Sequence, residues 1–499
     1  MKKYIVFLLA ALLAMPAAAK REPKPQEVDS TGRKIKTGWN FGILPSVAYD
    51  ADYGFQGGVL TNVYYYGDGS QYPEYIHSLY FEAAYTTKHH GIFRFNYDSK
   101  YLIPGYRLTL DATYLPDAMC DFYGFNGFES QYNYDWHFWK KKTEKMRNPD
   151  DYRSRVFYKY KRDLIRIAGD IEGTIYKDLK WNAGLGVLGY IIDDCDIAML
   201  NGKKRVFDPT KERYEQKALD PSVQGLYDKY KTWGLIGADE MNGGWHPYVR
   251  AGITYDTRDR RQGPNKGIYT DAFFTYSAAF NAAYGQQATA GYNHLQFNFT
   301  FRHYVPCYYD KNGINRITFA YRIGTQNNIA GNSPFYMNNY LNTLFIQRVY
   351  YEGLGGGNSV RGMMANRILA NGFLFANVEF RFRVVNFDIG RQHFYIGLNP
   401  FFDMGMVTQP YSLDDIVKHH TNGTYSTLKE AVAATGDKYE EYFNTTDPMN
   451  VYMPHMTAGL GLKIGMNENF VLSADWGMPI DRQDNHKYTN FYVKMGYLF

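Results

Sequence analysis

Asn377-Val378-Glu379-Phe380-Arg381-Phe382-Arg383 alternates polar and apolar side chains without exception. Successive side chains of a strand point to opposite faces. Asn377, Glu379, Arg381 and Arg383 therefore share one face, and Val378, Phe380 and Phe382 share the other. A charge on the lipid face of a membrane barrel costs about 2–4 kcal/mol at the bilayer midplane. The polar face must then look into a lumen and the aromatic face out to lipid. This stretch reads as barrel wall, and the rest of the chain has to be consistent with that.

Composition agrees with it. Among 499 residues there are 48 Tyr, 33 Phe and 47 Gly. Beyond the N-terminus no apolar run reaches the ~18 residues that a membrane-spanning helix needs. Alternating segments recur from Phe41–Asp50 through Asn315–Gly324, Asn371–Arg383 and His393–Gly405 to Tyr488–Phe499. They number about sixteen, an even count as single-chain bacterial barrels have. The long connections, Pro116–Ser154, Asp194–Gly244, Thr325–Ala370 and Met406–Asn450, follow strands five, seven, eleven and thirteen. The tight ones, such as Ile103-Pro104-Gly105, follow even strands. Short turns on one side and long loops on the other is the asymmetry of outer-membrane barrels. The expected fold class is all-β: a transmembrane antiparallel β-barrel whose long loops are extracellular.

The N-terminus carries Lys2-Lys3, an apolar stretch from Tyr4 to Met15, and Pro16-Ala17-Ala18-Ala19. This has the order of a secretory signal peptide cut after Ala19. The expected organisation is a signal peptide over 1–19, a polar and disordered periplasmic lead-in over 20–40, and a barrel over 41–499, placing the chain in the bacterial outer membrane.

Upstream of the opening stretch lies Gly353-Leu354-Gly355-Gly356-Gly357-Asn358-Ser359-Val360-Arg361-Gly362, a glycine-dense turn with one arginine at its tip. Downstream lies Phe401-Phe402-Asp403-Met404-Gly405. With these pieces in hand the chain resembles the bacterial surface-antigen barrels, the BamA, TamA and FhaC superfamily. Ser359-Val360-Arg361-Gly362 resembles the tip of that family's sixth outer loop, which folds back into the lumen. Asn377–Arg381 and Phe402–Gly405 resemble its strand-twelve and strand-thirteen motifs. Tyr255-Asp256-Thr257-Arg258-Asp259, with Pro264, Lys266 and Gly267, resembles its periplasmic turn after strand eight. Met363 departs from the aromatic that usually follows the Arg-Gly pair. On a loop tucked into the lumen, Arg361 would meet Glu379 and Asp403, and its fixed fork of donors suits carboxylates. Ser359, Val360, Arg361, Gly362, Glu379 and Asp403 are thus the expected loop lock.

The resemblance also implies periplasmic POTRA domains ahead of the barrel. Only about twenty residues stand between the cut and strand one, against the roughly 50 of a small domain. The expectation is a barrel-only member.

The last strand places Phe491, Val493, Met495, Tyr497 and Phe499 on one face. Phe491, Tyr497 and Phe499 resemble the signal by which outer-membrane barrels are recognised for insertion.

Other signals point to no chemistry. Gly353–Gly357 lacks the strand-and-helix setting of a phosphate cradle. His89-His90 and His419-His420 read as solvated loop histidines, and no catalytic arrangement stands out, so no enzyme activity, metal or cofactor is expected. The net charge of +5, without a basic block, suggests no nucleic-acid partner. Of the three cysteines, Cys307 is expected in a periplasmic turn, and a bond if formed would join Cys120 to Cys195.

Two functions remain open. One is assistance with insertion or translocation of proteins at the outer membrane, through a seam between first and last strands that Gly42 and Pro45 weaken. The other is an accessory or structural barrel, or a lipid or solute conduit, working with a separate periplasmic protein. The expected partners are outer-membrane lipid and either client barrel proteins or that periplasmic protein; oligomeric state is left open.

Overall fold

A computed structural model describes residues 35–72, 74–137, 151–211, 216–260, 263–278, 292–339, 341, 353–389, 392–444, 448–466, 470–481, 484 and 489–499. The expected signal peptide and most of the expected lead-in lie outside these residues.

Sixteen antiparallel strands close into a barrel. They are β1 Trp39–Asp50, β2 Gly54–Tyr65, β3 His77–Thr86, β4 Gly91–Ile103, β5 Tyr106–Leu115, β6 Lys159–Tyr176, β7 Leu179–Asp193 and β8 Gly243–Asp256. They continue with β9 Gly267–Ser277, β10 His294–Tyr309, β11 Asn315–Gly331, β12 Gly372–Ile389, β13 Gln392–Gln409, β14 His455–Met466, β15 Phe470–Pro479 and β16 Asn490–Met495. A two-residue piece, Cys120–Asp121, adds to β6 outside the main wall.

The wall is inside-out. On β12, Asn377, Glu379 and Arg381 are buried while Phe380 is 42% exposed. Inward carboxylates are met by cations. Asp98 takes Arg107 at 2.7 Å, Asp111 takes Arg94 at 3.1 Å and Arg166 at 2.7 Å, and Asp170 takes Arg250. Pairing is what makes charges tolerable where water is scarce.

Several strands run longer than the alternation predicts. β11 extends to Gly331 and β12 to Ile389, and Cys307 lies within β10 rather than in a turn. All three cysteines are free thiols, Cys120 buried, Cys195 half-buried and Cys307 exposed.

The four long loops lie at one end and pack into a dome. Its core joins Phe122, Tyr123, Phe125 and Trp136 of the first to Tyr227, Tyr230 and Trp233 of the second. Phe335 and Tyr336 of the third complete it with Tyr411, Tyr442 and Phe443 of the fourth. Short helices brace it. One, Leu413–His420, opens with Asp414 and Asp415 and closes with Lys418, His419 and His420. That charge order matches the helix dipole.

One histidine of each pair departs from the solvated loop feature expected of it, while His419 is exposed and His89 lies half-buried in the β3–β4 turn. His419-His420 end a helix, and His420 Nδ1 sits 3.0 Å from the Gly234 carbonyl. His90 is buried, its Nδ1 3.4 Å from Asp117, because the loop after β5 folds over the β3–β4 turn.

The last strand departs from expectation. β16 stops at Met495, and Gly496 takes φ 87°, a left-handed turn that glycine adopts without strain. Phe491 stays on the lipid side, 44% exposed, while Tyr497 and Phe499 fold into the lumen and are buried. The five apolar residues of 491–499 therefore do not share one face. The alternation is real, but a backbone turn at Gly496 overrides it.

Candidate functional site: the inward loop and its lock

The loop between β11 and β12 turns back into the lumen, and its glycines let it pass close to the wall. Gly362, at φ 95°, presses on β15: an added Cβ would lie 2.7 Å from the Met478 nitrogen. Ser359 Oγ sits 2.8 Å from the nitrogen and the carbonyl of Gly355, pinning the turn on itself. Val360 and Met363 are buried with Leu354, Ile368, Phe373, Phe375 and Val407. Met363, 1% exposed, thus fills an apolar seat beside the tip.

The structure brings Arg361, Glu379 and Asp403 together. Arg361 Nε donates to Asp403 Oδ2 at 2.8 Å and Nη2 to Oδ1 at 3.0 Å. The Arg361 backbone nitrogen adds a third bond to Asp403, also at 3.0 Å. Nη1 donates to Glu379 Oε2 at 2.9 Å, and the guanidinium lies 3.7 Å over the Phe401 ring. All three ionic side chains are 0% exposed. A two-armed fork on one carboxylate with a third arm on another needs arginine geometry.

The cluster is larger than the alternation suggests. Arg381 bonds the other oxygen of Glu379 at 2.7 Å, then reaches the carbonyl of Pro264 at 3.1 Å and Phe499 O at 2.8 Å. Lys463 on β14 pairs with Asp475 on β15 at 2.6 Å, and both are fully buried. Arg361, Arg381 and Lys463 thus face Glu379, Asp403 and Asp475, a balanced set. Balance is the condition for burying so many charges, since an unpaired buried ion is very costly. Lys463 and Asp475 are lone charges in otherwise apolar wall segments; that isolation was the available signal.

Contacts on two sides steady the tip. Arg322 donates to Asn377 Oδ1 at 2.8 Å and to the carbonyls of Asn358 and Ser359, each at 3.3 Å, while Asn377 bonds the Ser359 carbonyl at 2.7 Å. On the other side Asn490 donates to the Gly362 carbonyl at 3.3 Å, the Gly362 nitrogen donates to Tyr492 Oη at 3.3 Å, and Lys494 bonds the Gly357 carbonyl. The loop therefore bridges the β12–β13 wall to β16.

The turn after β8 joins from below. Arg258 grips Asp256 through two bonds of 2.8 and 2.9 Å, and the turn brings Pro264 to Arg381. Tyr497 and Phe499, expected on one face with Phe491, belong instead to the lower margin of the lock. Tyr497 Oη lies 3.1 Å from Tyr395 Oη, and Phe499 packs with Tyr304 and Ala320.

At the dome end, Glu240 accepts from the Phe335 nitrogen at 3.0 Å and is 5% exposed. Burial, with Asp239 beside it, pushes its carboxyl up to about 8 against the hydrogen bonds that favour the charge. A folded value above the unfolded one means the folded form holds the proton longer. This contribution to stability is complete below about 4.5 and falls as pH rises from there through about 8. Protease access to 334–338 should therefore increase between pH 6 and pH 9 by more in the parent than in Glu240→Gln, which removes the ionisation. An equal response in both would show that Glu240 does not set it.

A closed barrel with an inward loop anchored by a buried arginine defines a membrane-barrel class. The family identification comes from sequence: the Omp85 superfamily domain matches residues 212–499, more than half of the chain, and the chain belongs to that superfamily. No curated protein matches it. Among solved structures it is similar to BamA from Haemophilus ducreyi lacking POTRA domains 1–3, at 13% identity and TM-score 0.48, over 93% of this chain and 71% of that one. CdiB from Acinetobacter baumannii aligns at 11% identity and TM-score 0.44, over 93% of this chain and 60% of that one. CdiB from Escherichia coli aligns at 10% and 0.45, over 90% and 62%. The chain thus spans less than two thirds of either CdiB chain.

Proposed function

We propose that this barrel works in the bacterial outer membrane to insert or translocate other proteins, receiving a client strand at the seam between β1 and β16. The observation that carries the reading is the seam itself. β1 pairs with β2 along its whole length, from Trp39 opposite Tyr65 to Asp50 opposite Gly54. Towards β16 it has one ladder pair among the described residues, Tyr49 opposite Val493. β16 is only Asn490–Met495, and the chain then turns into the lumen. Among the described residues, Trp39–Ala48 therefore presents an unmatched edge flanked by Trp39, Phe41 and Ile43, which are 60, 76 and 64% exposed.

Unsatisfied backbone groups cost several kcal/mol each in lipid. A strand edge of this kind is a template for another strand. An incoming client strand would satisfy it, with outer-membrane lipid as the surrounding solvent and a separate periplasmic protein as a candidate deliverer. The process is strand exchange and needs no catalysis. Phe491, Tyr497 and Phe499 are proposed to serve this barrel's own recognition before assembly. Deleting Phe499 should then lower assembly in cells more than refolding in detergent, and equal losses would reduce it to a stability residue.

The seam is tested with Tyr49→Cys and Val493→Cys in a chain whose three native cysteines are replaced by serine. Oxidation should lower the level of other outer-membrane proteins in cells that depend on the variant, and reduction should restore it. Unchanged levels with a fully formed crosslink would reject the seam. Loss of a lipid or solute phenotype alone would favour the conduit.

A further inference from the structure

A second buried ion cluster lies in the dome, just beyond the loop tip. Arg367 follows the lock arginine in the same loop and is 1% exposed. Its Nε donates to Asp484 Oδ1 at 2.9 Å, Nη1 to the Gly127 carbonyl at 2.8 Å and Nη2 to the Ser130 carbonyl at 3.2 Å. Asp484, between β15 and β16, uses its other oxygen on His455 Nδ1 at 2.5 Å. The His455 ring stacks on Phe128, centroids 3.5 Å apart at 14°. Burial alone would raise the Asp484 carboxyl, but the facing His455 and Arg367 outweigh it and hold it at about 2.

This cluster draws four separate segments to one point: the loop after β5, the inward loop, the start of β14 and the connection into β16. Asn126 tightens the same point. Its nitrogen donates to the Leu369 carbonyl at 2.8 Å, and its side chain exchanges bonds of 2.9 and 2.7 Å with the Tyr411 backbone. Arg367 and Asp484 pair with each other, and Arg361 pairs with Glu379 and Asp403; each cluster satisfies its own charges.

We propose that Arg367 is a second positioning residue of the inward loop, held by Asp484, Gly127 and Ser130, so that the dome stays across the lumen until both ion clusters release. The two anchors divide the work. Arg361 fixes the tip against the wall. Arg367 fixes the flank to the dome and, through Asp484, to the segment that enters β16. Losing one leaves the loop tethered at the other. The arrangement belongs to the barrel itself and does not depend on whether the seam receives a client.

The purified barrel in planar bilayers tests this, with Asp484→Asn, Arg367→Lys, Arg361→Ala and Arg361→Ala/Asp484→Asn beside the parent. Heat-modifiable migration on gels confirms that each variant is folded. Asp484→Asn and Arg367→Lys alone should keep conductance near that of the parent, and Arg361→Ala sets the level for release of the tip with the flank still held. The double variant should open far more often, on the order of tenfold, as expected for losing a charge-assisted hydrogen bond that the other anchor no longer backs up. Arg367→Lys keeps the charge but cannot reach Asp484 and two carbonyls together, so Arg361→Ala/Arg367→Lys should fall between single and double. This second pair also carries the test if Asp484→Asn fails to fold. A double variant that conducts no more than Arg361→Ala, or an Arg367→Lys pair identical to that single variant, would overturn the proposal.

Discussion

Replacing Arg361 with alanine should free the loop tip while leaving the barrel wall intact. In the parent, Asp403 is fully buried and receives two guanidinium bonds and one backbone bond from residue 361. After truncation it keeps at most the backbone donor. Glu379 keeps Arg381, so Asp403 bears most of the loss. Breaking a buried pair from one side costs about 3–5 kcal/mol, because the remaining charge is left uncompensated. That exceeds what the apolar seat of Val360 can hold, and the tip should leave the wall. The ladder bonds of the strands are untouched, so the barrel should still migrate as folded. Proteinase K with peptide mapping should find new cuts within 353–363, with the Arg367 flank still protected. Lysine at 361 offers one point charge in place of a fork and should protect only partly. Asp403→Ala should resemble Arg361→Ala, and the double variant should be no worse than either single, the mark of a coupled pair. Tips as resistant as the parent in all three would show that the ion cluster does not hold the loop.

Gly362→Val should release the same tip with every charge in place. The residue sits at φ 95°, where a β-branched side chain is strained. Its Cβ would also lie 2.7 Å from the Met478 nitrogen and 2.8 Å from the Gly477 carbonyl carbon, both backbone atoms of a wall strand that cannot yield. Strain of this type costs about 1–3 kcal/mol before any clash. Gly477→Ala approaches from the other side, since its Cβ would meet Gly362 Cα at 2.9 Å, and should act alike. Gly313→Ala is the control: its φ is 73°, but nothing lies within 4 Å of an added Cβ. It should lose stability without exposing 353–363. If Gly362→Val and Gly313→Ala gave the same protease pattern, close packing of the tip on β15 would not be what seats the loop.

Much of this was readable along the chain. The period of two in Asn377–Arg383 sets which side chains face lipid, because a strand offers only two faces and only one can carry charge in a membrane. The parity of long and short connections comes from the same antiparallel wall. Glu379 and Asp403 could be named because each is a strand charge whose inward register is forced, and Arg361 because it is the one arginine of a glycine-dense turn whose motif sits in a familiar order with theirs.

Other features depend on distances across the lumen, which periodicity does not encode. Lys463 and Asp475 join the lock because β14 and β15 lie beside it after closure. Arg367, Asp484 and His455 meet only when the inward loop, the start of β14 and the connection from β15 to β16 come together at one mouth; their residue types alone would pass as surface charge. The tail shows the limit most directly. Phe491 to Phe499 alternates as a strand should, yet Gly496 turns the backbone, and Tyr395 and Arg381 receive Tyr497 and Phe499 inside the lumen. A local pattern determines which faces a segment can have. Whether the segment stays in the wall is settled by the partners that the closed barrel brings to it.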